Sequence, residues 1–159
     1  MRSKSIENPS PERAWQYALR LLAARDYTRA KLYEKLLVRG FPEEDAEAAL
    51  HRLENEKLIS DHRFAERFAE SAVSAGRFFG PRLRLEMRRC GVPADMIDEV
   101  SARIAGEHDE SDEVRCTLEK RFPSFSNASA DDREKRRVVG FLQRRGFGIA
   151  TILRVLKER

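Results

Sequence analysis

This 159-residue chain contains two clusters of basic side chains, whose chemistry suits them to binding anions. The first cluster interleaves with Phe78 and Phe79 and consists of Arg77, Arg82, Arg84, Arg88 and Arg89. The second precedes the basic C-terminus and consists of Lys135, Arg136, Arg137, Arg144 and Arg145. Guanidinium groups fork onto phosphates and carboxylates, so both clusters are candidates for binding a polyanionic or acidic partner. The alternative is a solvated helix face on which the arginine stems cover apolar surface.

The distribution of charge favours a binding role at the C-terminal end. The net charge is +4, but residues 135–159 hold eight basic and one acidic side chain, whereas residues 106–134 hold four and nine. A neutral body followed by an acidic stretch and a basic tail points to a polyanionic or acidic partner there. Arginine outnumbers lysine 24 to 7, which suits phosphate or carboxylate recognition but is equally produced by a GC-rich genome.

Catalytic groups are scattered through the sequence. His51, His62 and His108 lack metal-ligand spacing, and the two cysteines, Cys90 and Cys116, belong to no metal or redox motif. Most carboxylates sit where helices begin and interact favourably with the helix dipole. We therefore expect a binding protein without catalytic residues, metal or cofactor, and buried, reduced thiols in a cytoplasmic protein.

The pattern that must position these residues is helical. Sustained period-2 alternation is missing, whereas apolar stripes at helical spacing recur nine times between capping residues and glycines. The predicted N-caps are Ser10, Thr28, Ser60 or Asp61, Ser111 and Ser129. The last helix is predicted to carry Ile149, Ile152, Leu153 and Leu156 on its apolar stripe. The longest apolar run, residues 21–24, is too short to span a bilayer, and we see no signal peptide.

Three of the predicted helices end in the same way, which indicates a repeat. Their final residues are Leu37-Val38-Arg39-Gly40-Phe41, Arg88-Arg89-Cys90-Gly91-Val92 and Gln143-Arg144-Arg145-Gly146-Phe147. Glycine takes the left-handed conformation that ends a helix sharply, so each stop predicts a positive φ. Matching apolar spacing follows each glycine.

The repeat predicts an all-α fold of three tandem three-helix repeats that form an elongated, curved array. Their expected bounds are 10–58, 59–108 and 109–159, after a disordered tail over residues 1–9 and with a mobile loop near 122–130. The alternative is a single irregular nine-helix bundle in which glycine stops are ordinary.

Four stretches of this sequence resemble the RecX family, bacterial regulators of the RecA recombinase. One lies in the first unit and comprises Ala18-Leu19 through Leu36, with Arg39-Gly40-Phe41; a second is Leu58-Ile59-Ser60-Asp61-His62-Arg63-Phe64-Ala65. The others are Arg77-Phe78-Phe79-Gly80-Pro81-Arg82-Leu83 and Phe141-Leu142-Gln143-Arg144-Arg145-Gly146-Phe147. The resemblance covers about residues 12–157 in order, with Met87 where the family usually carries leucine.

The resemblance implies a non-enzymatic regulator of recombination, repair and the SOS response. Such a protein would bind the RecA nucleoprotein filament in its helical groove and inhibit strand exchange, ATP hydrolysis and coprotease activity. The two basic clusters would face that groove, with single- or double-stranded DNA as a further partner. We expect the protein to be a monomer and to have no membrane among its partners.

The rival hypothesis is a DNA-binding regulator whose helix pairs read bases as helix-turn-helix units. Such a reader needs asparagine, glutamine or arginine at the start of its recognition helix. The third helices begin with Pro42-Glu43-Glu44-Asp45, Pro93-Ala94-Asp95 and Gly148-Ile149-Ala150, which are acidic or apolar. This disfavours base reading but leaves contact with phosphates open.

Overall fold

A computed structural model describes residues 6–159, which form nine α-helices and no strand. The first six helices are α1 (Pro11–Ala24), α2 (Arg29–Arg39), α3 (Glu43–Asn55), α4 (Asp61–Ser74), α5 (Gly80–Arg89) and α6 (Ala94–Glu107). The last three are α7 (Glu110–Arg121), α8 (Asp132–Arg145) and α9 (Ile149–Lys157). The predicted all-α class is confirmed. Residues 1–5 of the predicted disordered tail lie outside the described residues.

Helix starts follow the capping chemistry of the sequence, with two corrections. Ser10 and Thr28 cap α1 and α2, where their hydroxyl oxygens accept from the backbone N–H groups of Arg13 and Lys31. The predicted caps Ser111 and Ser129 are wrong, because Asp109 caps α7 and Asp131 caps α8. In both cases a nearby aspartate takes the capping role, which it fills as well as serine does.

The chain divides into two compact units, and the division falls within α4, α5 and α6. The first unit comprises residues up to Ala65 together with Arg88–Met96. In it α1 and α2 both pack against α3. Its core is a cluster of buried apolar side chains: Ala14, Ala18, Leu32, Leu36, Phe41, Ala46, Ala49, Leu50, Leu53 and Ile59.

The second unit comprises Glu66–Met87 and Ile97–Arg159. Within it α7 and α8 both pack against α9, which repeats the arrangement of α1, α2 and α3. The buried residues of these last three helices include Val114, Leu118, Val138, Leu142, Ile152, Val155 and Leu156. Ile149 and Leu153, predicted on the apolar stripe of α9, are instead 46% and 47% exposed.

The three glycine stops are equivalent, as the sequence predicts. Gly40, Gly91 and Gly146 have φ values of 103°, 86° and 102°. The apolar residue after each one is buried: Phe41, Val92 and Phe147.

The carbonyl oxygen before the glycine stop accepts a hydrogen bond from the start of another helix once in each unit. In the first unit the Thr28 hydroxyl, at the start of α2, donates to the carbonyl oxygen of Cys90, which precedes Gly91. In the second unit the Phe79 N–H, at the start of α5, donates to the carbonyl oxygen of Arg145 at 2.8 Å. Cys90 and Arg145 stand at equivalent repeat positions. Thus the start of one middle helix satisfies the final carbonyls of the next, which a helix end otherwise leaves without partners.

Two segments predicted to be mobile or disordered contain ordered contacts. Phe125 of the 122–130 loop is buried, and its N–H donates to the Phe122 carbonyl at 3.0 Å. Ile6 packs against the core of the first unit, and Arg13 Nη1 donates to the Asn8 carbonyl at 3.0 Å. The mobility of the loop and the exact bounds of the repeats stay predictions.

Candidate interaction surfaces

The exposed face of α8 carries the C-terminal basic cluster. Val138 and Leu142 point into the core and fix which side of the helix faces water. The Asp131 carboxylate accepts from the Glu134 N–H at 2.7 Å and holds the helix start, while Gly146 ends the helix. The opposite side is therefore presented as a rigid surface.

A line of arginines runs along this exposed side. Arg133, Arg137 and Arg144 are spaced by four and seven residues, which places them on one helix face with Gly140 between them. All three arginines are exposed. A Cβ built on Gly140 would lie 3.2 Å from Arg144 Nη1, so the missing side chain leaves room for that guanidinium. Sequence reasoning missed Arg133, which the helical spacing from Arg137 could have revealed.

Within the described part of the chain, these arginines lack carboxylate partners. Arg133, Arg136 and Arg144 make no hydrogen bond or ion pair there, and Arg137 lies over the Phe122 ring at 5.6 Å. Arg136 is exposed to one side of the line, while Lys135 is half-buried nearer the core side. The line consequently presents uncompensated positive charge.

Arg145 is placed differently from its neighbour Arg144. Its Nη1 donates to the carbonyl oxygens of Gly76 at 3.3 Å and Arg77 at 3.2 Å, and its guanidinium lies 4.7 Å from the centre of the Phe141 ring. Burial lowers the pKa of Arg145, with the charges of Arg121 and Arg77 acting in the same direction. These contacts hold the end of α8 against the turn before α5, so we assign Arg145 a structural role.

The first basic cluster is partly paired in the structure. Arg82 forms an ion pair with Glu86 at 2.8 Å and lies over Phe78, and Arg84 pairs with Asp98. Arg77 donates to the Ser71 hydroxyl at 3.0 Å. These three belong to the second unit, whereas Arg88 and Arg89 belong to the first and are exposed. Carboxylates inside the protein therefore offset the charges of Arg82 and Arg84.

Half-buried aromatic rings accompany the arginines near the ends of α7 and α8. Phe122 and Phe141 meet edge to face with ring centres 5.2 Å apart. Arg137 covers one ring and Arg145 covers the other. Alternating guanidinium and aromatic groups can stack with planar ligands as well as with one another.

The residues weighed for metal and redox chemistry remain dispersed. Among residues 6–159 no group of three or more histidine, cysteine or acidic side chains could hold a metal ion. His108 Nδ1 lies 2.8 Å from the Glu113 carboxylate. Cys90 and Cys116, which were predicted to be buried, are half-buried. In the same described range, no helix is both long enough and apolar enough to cross a membrane.

Comparison with known proteins decides the family. Two family models match: the first three-helix domain of RecX over residues 14–53 and the third three-helix domain of RecX over residues 112–156. The regulatory protein RecX of Trichlorobacter lovleyi is 42% identical over 149 residues, which cover 94% of this chain and 96% of that one. The chain belongs to the RecX family. Other RecX regulatory proteins are similar, including that of Syntrophotalea carbinolica at 34% identity, covering 91% and 95% of the two chains.

Solved RecX structures have the same fold. The crystal structure of RecX from Lactobacillus salivarius superposes with a TM-score of 0.71 at 16% identity and covers 93% of this chain and 95% of that one. A second crystal structure, of a regulatory protein RecX, also gives a TM-score of 0.71, at 20% identity over 94% of this chain and 73% of that one. The predicted all-α repeat architecture is confirmed. The RecX relatives are named as regulatory proteins, which agrees with the predicted class of function.

Proposed function

We propose that this protein is a non-enzymatic cytoplasmic regulator that binds the RecA nucleoprotein filament and inhibits its recombinase, ATPase and coprotease activities. RecA enters through the resemblance to the RecX family. The observation that carries the proposal for this chain is the line of Arg133, Arg137 and Arg144 on α8, which has no carboxylate partner among the described residues. Such a line would meet carboxylates of RecA or phosphates of the filament's DNA.

The arginines of α8 are suited to binding an anionic partner because the helix is rigid and they have no carboxylate partners in the described chain. An arginine that already pairs with a carboxylate must lose that contact before it can bind another anion. Arg144 has no such contact to lose, whereas Arg84 must give up Asp98. We therefore assign the dominant binding role to α8, and the first cluster contributes less.

The test is ATP hydrolysis by RecA on single-stranded DNA, with strand exchange measured in parallel. We expect added protein to lower both rates. Unchanged rates at a molar excess over RecA would contradict the proposal. A control without RecA should give no ATP hydrolysis, because the proposed regulator is not an enzyme.

Direct DNA binding is a second candidate function, favoured by the rings of Phe122 and Phe141 beside Arg137 and Arg145. Stacking of bases on such rings would prefer single strands to duplex. Titrating labelled oligo(dT) and a duplex of equal length at several salt concentrations tests this. Phosphate contact predicts a fall in the logarithm of affinity of about 0.7–0.9 per phosphate for each unit of log salt. Weak, salt-independent binding would leave protein carboxylates as the targets.

A further inference from the structure

The line of arginines on α8 ends at an apolar groove within the second unit. The groove has a volume of about 510 Å³, and most of its surface is apolar. The side chains that line it are Pro81, Arg82, Leu85, Glu110, Gln143, Arg144 and Phe147, with the backbones of Gly146 and Gly148. It is open to water, so a chain segment can lie along it.

Internal contacts hold the walls of the groove in place. The Phe147 ring stacks on Phe79 with ring centres 5.3 Å apart, and Phe79 donates its N–H to Arg145. Glu110 accepts from the Gly148 N–H and from the Thr151 hydroxyl, both at 2.7 Å. The groove is therefore built before any partner arrives.

The charges at the groove are balanced except at Arg144. Arg82 pairs with Glu86, and the Glu110 carboxylate is occupied at the start of α9. Arg144 has no ion-pair partner in the described chain and continues the line formed by Arg133 and Arg137. The occupant that complements this surface has a carboxylate beside an apolar side chain.

We infer that this groove binds an acidic peptide segment of the protein partner, which inserts an aliphatic side chain between Pro81 and Leu85 and pairs a carboxylate with Arg144. The inference rests on the proposed function and adds the chemical class of the segment. A nucleic acid fits the groove less well, because Pro81 and Leu85 are aliphatic and the Phe147 ring of the lining is buried and already stacked on Phe79. Acidic residues before the anchor would follow Arg137 and Arg133 along α8.

Three labelled short peptides test the inference by fluorescence anisotropy with the full chain. One alternates aspartate with leucine, one alternates aspartate with serine, and one alternates lysine with leucine. We expect the aspartate–leucine peptide to bind at least about tenfold more tightly than either of the others. Only this peptide offers both an aliphatic side chain for Pro81 and Leu85 and a carboxylate for Arg144. Equal binding of the two aspartate peptides would overturn the inference. Displacement of the bound peptide by oligo(dT) that is the same in the parent and in Leu85→Ser would overturn it as well.

Variants of the chain locate the binding site. Leu85→Ser and Arg144→Ala should each weaken the aspartate–leucine peptide about tenfold, whereas Arg20→Ala, an exposed arginine of α1, should leave its affinity unchanged. Arg144→Ala keeps the test decisive if Leu85→Ser fails to fold. Unchanged affinity in Arg144→Ala would overturn the inference.

RecA ATPase assays on the same proteins separate this inference from the proposed function. If the parent protein inhibits RecA while the peptides do not discriminate, the groove inference alone fails. If the peptides discriminate as expected while RecA is unaffected, the proposed function alone fails.

Discussion

The first and third three-helix repeats share one arrangement of helices, but arginines that pair with carboxylates in the first contrast with arginines on α8 of the third. In the first repeat, Arg29 pairs with Glu47 and Glu54, and Arg52 pairs with Glu12 and Glu56. Hydrogen bonds to Glu47 and to Glu56 raise the pKa values of Arg29 and Arg52, respectively. In the third repeat, Arg133, Arg136 and Arg144 on α8 have no such partners in the described chain.

Cations lie over aromatic rings in the first repeat, as Arg137 and Arg145 do in the third. Tyr17 lies beneath Arg20 and Arg39, and Tyr27 lies beneath Arg25 and Lys35. These cations use the faces of rings inside their own repeat. The comparison teaches that pairing differs from helix to helix, because Arg115 of α7 pairs with Glu158 as Arg52 pairs with Glu56, whereas the exposed arginines of α8 have no carboxylate partner in the described chain.

The largest expected effect concerns the glycine stop of the third repeat. A Cβ at Gly146 would overlap the Phe79 carbonyl oxygen and lie 2.7 Å from Arg82 Cβ, in a backbone with φ of 102°. Gly146→Ala should lower the free energy of unfolding by at least about 2 kcal/mol, from the left-handed backbone and the overlap together. Urea unfolding measures the loss.

Gly106 supplies the matched control for that substitution. It lies within α6, and a Cβ there would meet nothing within 4 Å. Gly106→Ala should be neutral or should stabilise the protein by about 0.5–1 kcal/mol. Equal losses in the two variants would contradict the proposed role of the Gly146 stop.

A smaller effect is expected at Thr28 in the first unit. Its buried hydroxyl accepts from the Lys31 N–H at 3.3 Å and donates to the Cys90 carbonyl. Thr28→Val keeps the volume but loses both bonds, and should cost about 1–2 kcal/mol. Thr28→Ser keeps the hydroxyl and should cost less. Equal stability of the Val and Ser variants would show that the hydroxyl contacts contribute little.

These contacts also mark what the sequence could and could not predict. Gly40, Gly91 and Gly146 were predictable, because local chemistry alone favours a left-handed glycine at a helix end. The hydrogen bond from Thr28 to Cys90 joins residues 62 positions apart, and no local sequence pattern predicts it. Arg144 and Arg145 are identical in type and adjacent in sequence, so only the packed turn at Gly76 distinguishes the exposed side chain from the positioning one.

The paired and unpaired arginines should differ in their effect on thermal stability. Arg52→Glu breaks ion pairs with two glutamates and removes a cation lying 3.7 Å from the centre of the Trp15 ring. We expect a lower thermal midpoint by circular dichroism. Arg133→Glu places a carboxylate in the first turn of α8, where the helix dipole favours it, so the midpoint should not fall. A larger drop for Arg133→Glu would break the comparison.

The smallest effect concerns the pH dependence of the first unit. Burial raises the pKa of Asp61, although its carboxylate accepts from the Arg29 N–H at 2.8 Å. A raised carboxyl pKa favours the folded state only while the group is protonated, and that benefit is lost as pH rises through the folded pKa. Asp61→Asn should therefore raise stability slightly at neutral pH.

The pH series supplies the internal control for that prediction. The advantage of Asp61→Asn should shrink in acid, where Asp61 is itself protonated. Urea unfolding at neutral and acidic pH measures it. An advantage that grows in acid would contradict the direction assigned to the Asp61 pKa.

Inhibition of RecA ATP hydrolysis by a charge-reversed α8 tests the central claim most directly. The variant Arg133→Glu/Arg144→Glu reverses two unpaired charges, and Arg20→Glu/Arg25→Glu reverses two exposed charges on the first repeat as the matched control. With helical content checked for both, we expect the α8 variant to lose at least about tenfold in inhibitory potency and the control to stay close to the parent. Equal potency of the two variants would contradict the assignment of partner binding to α8.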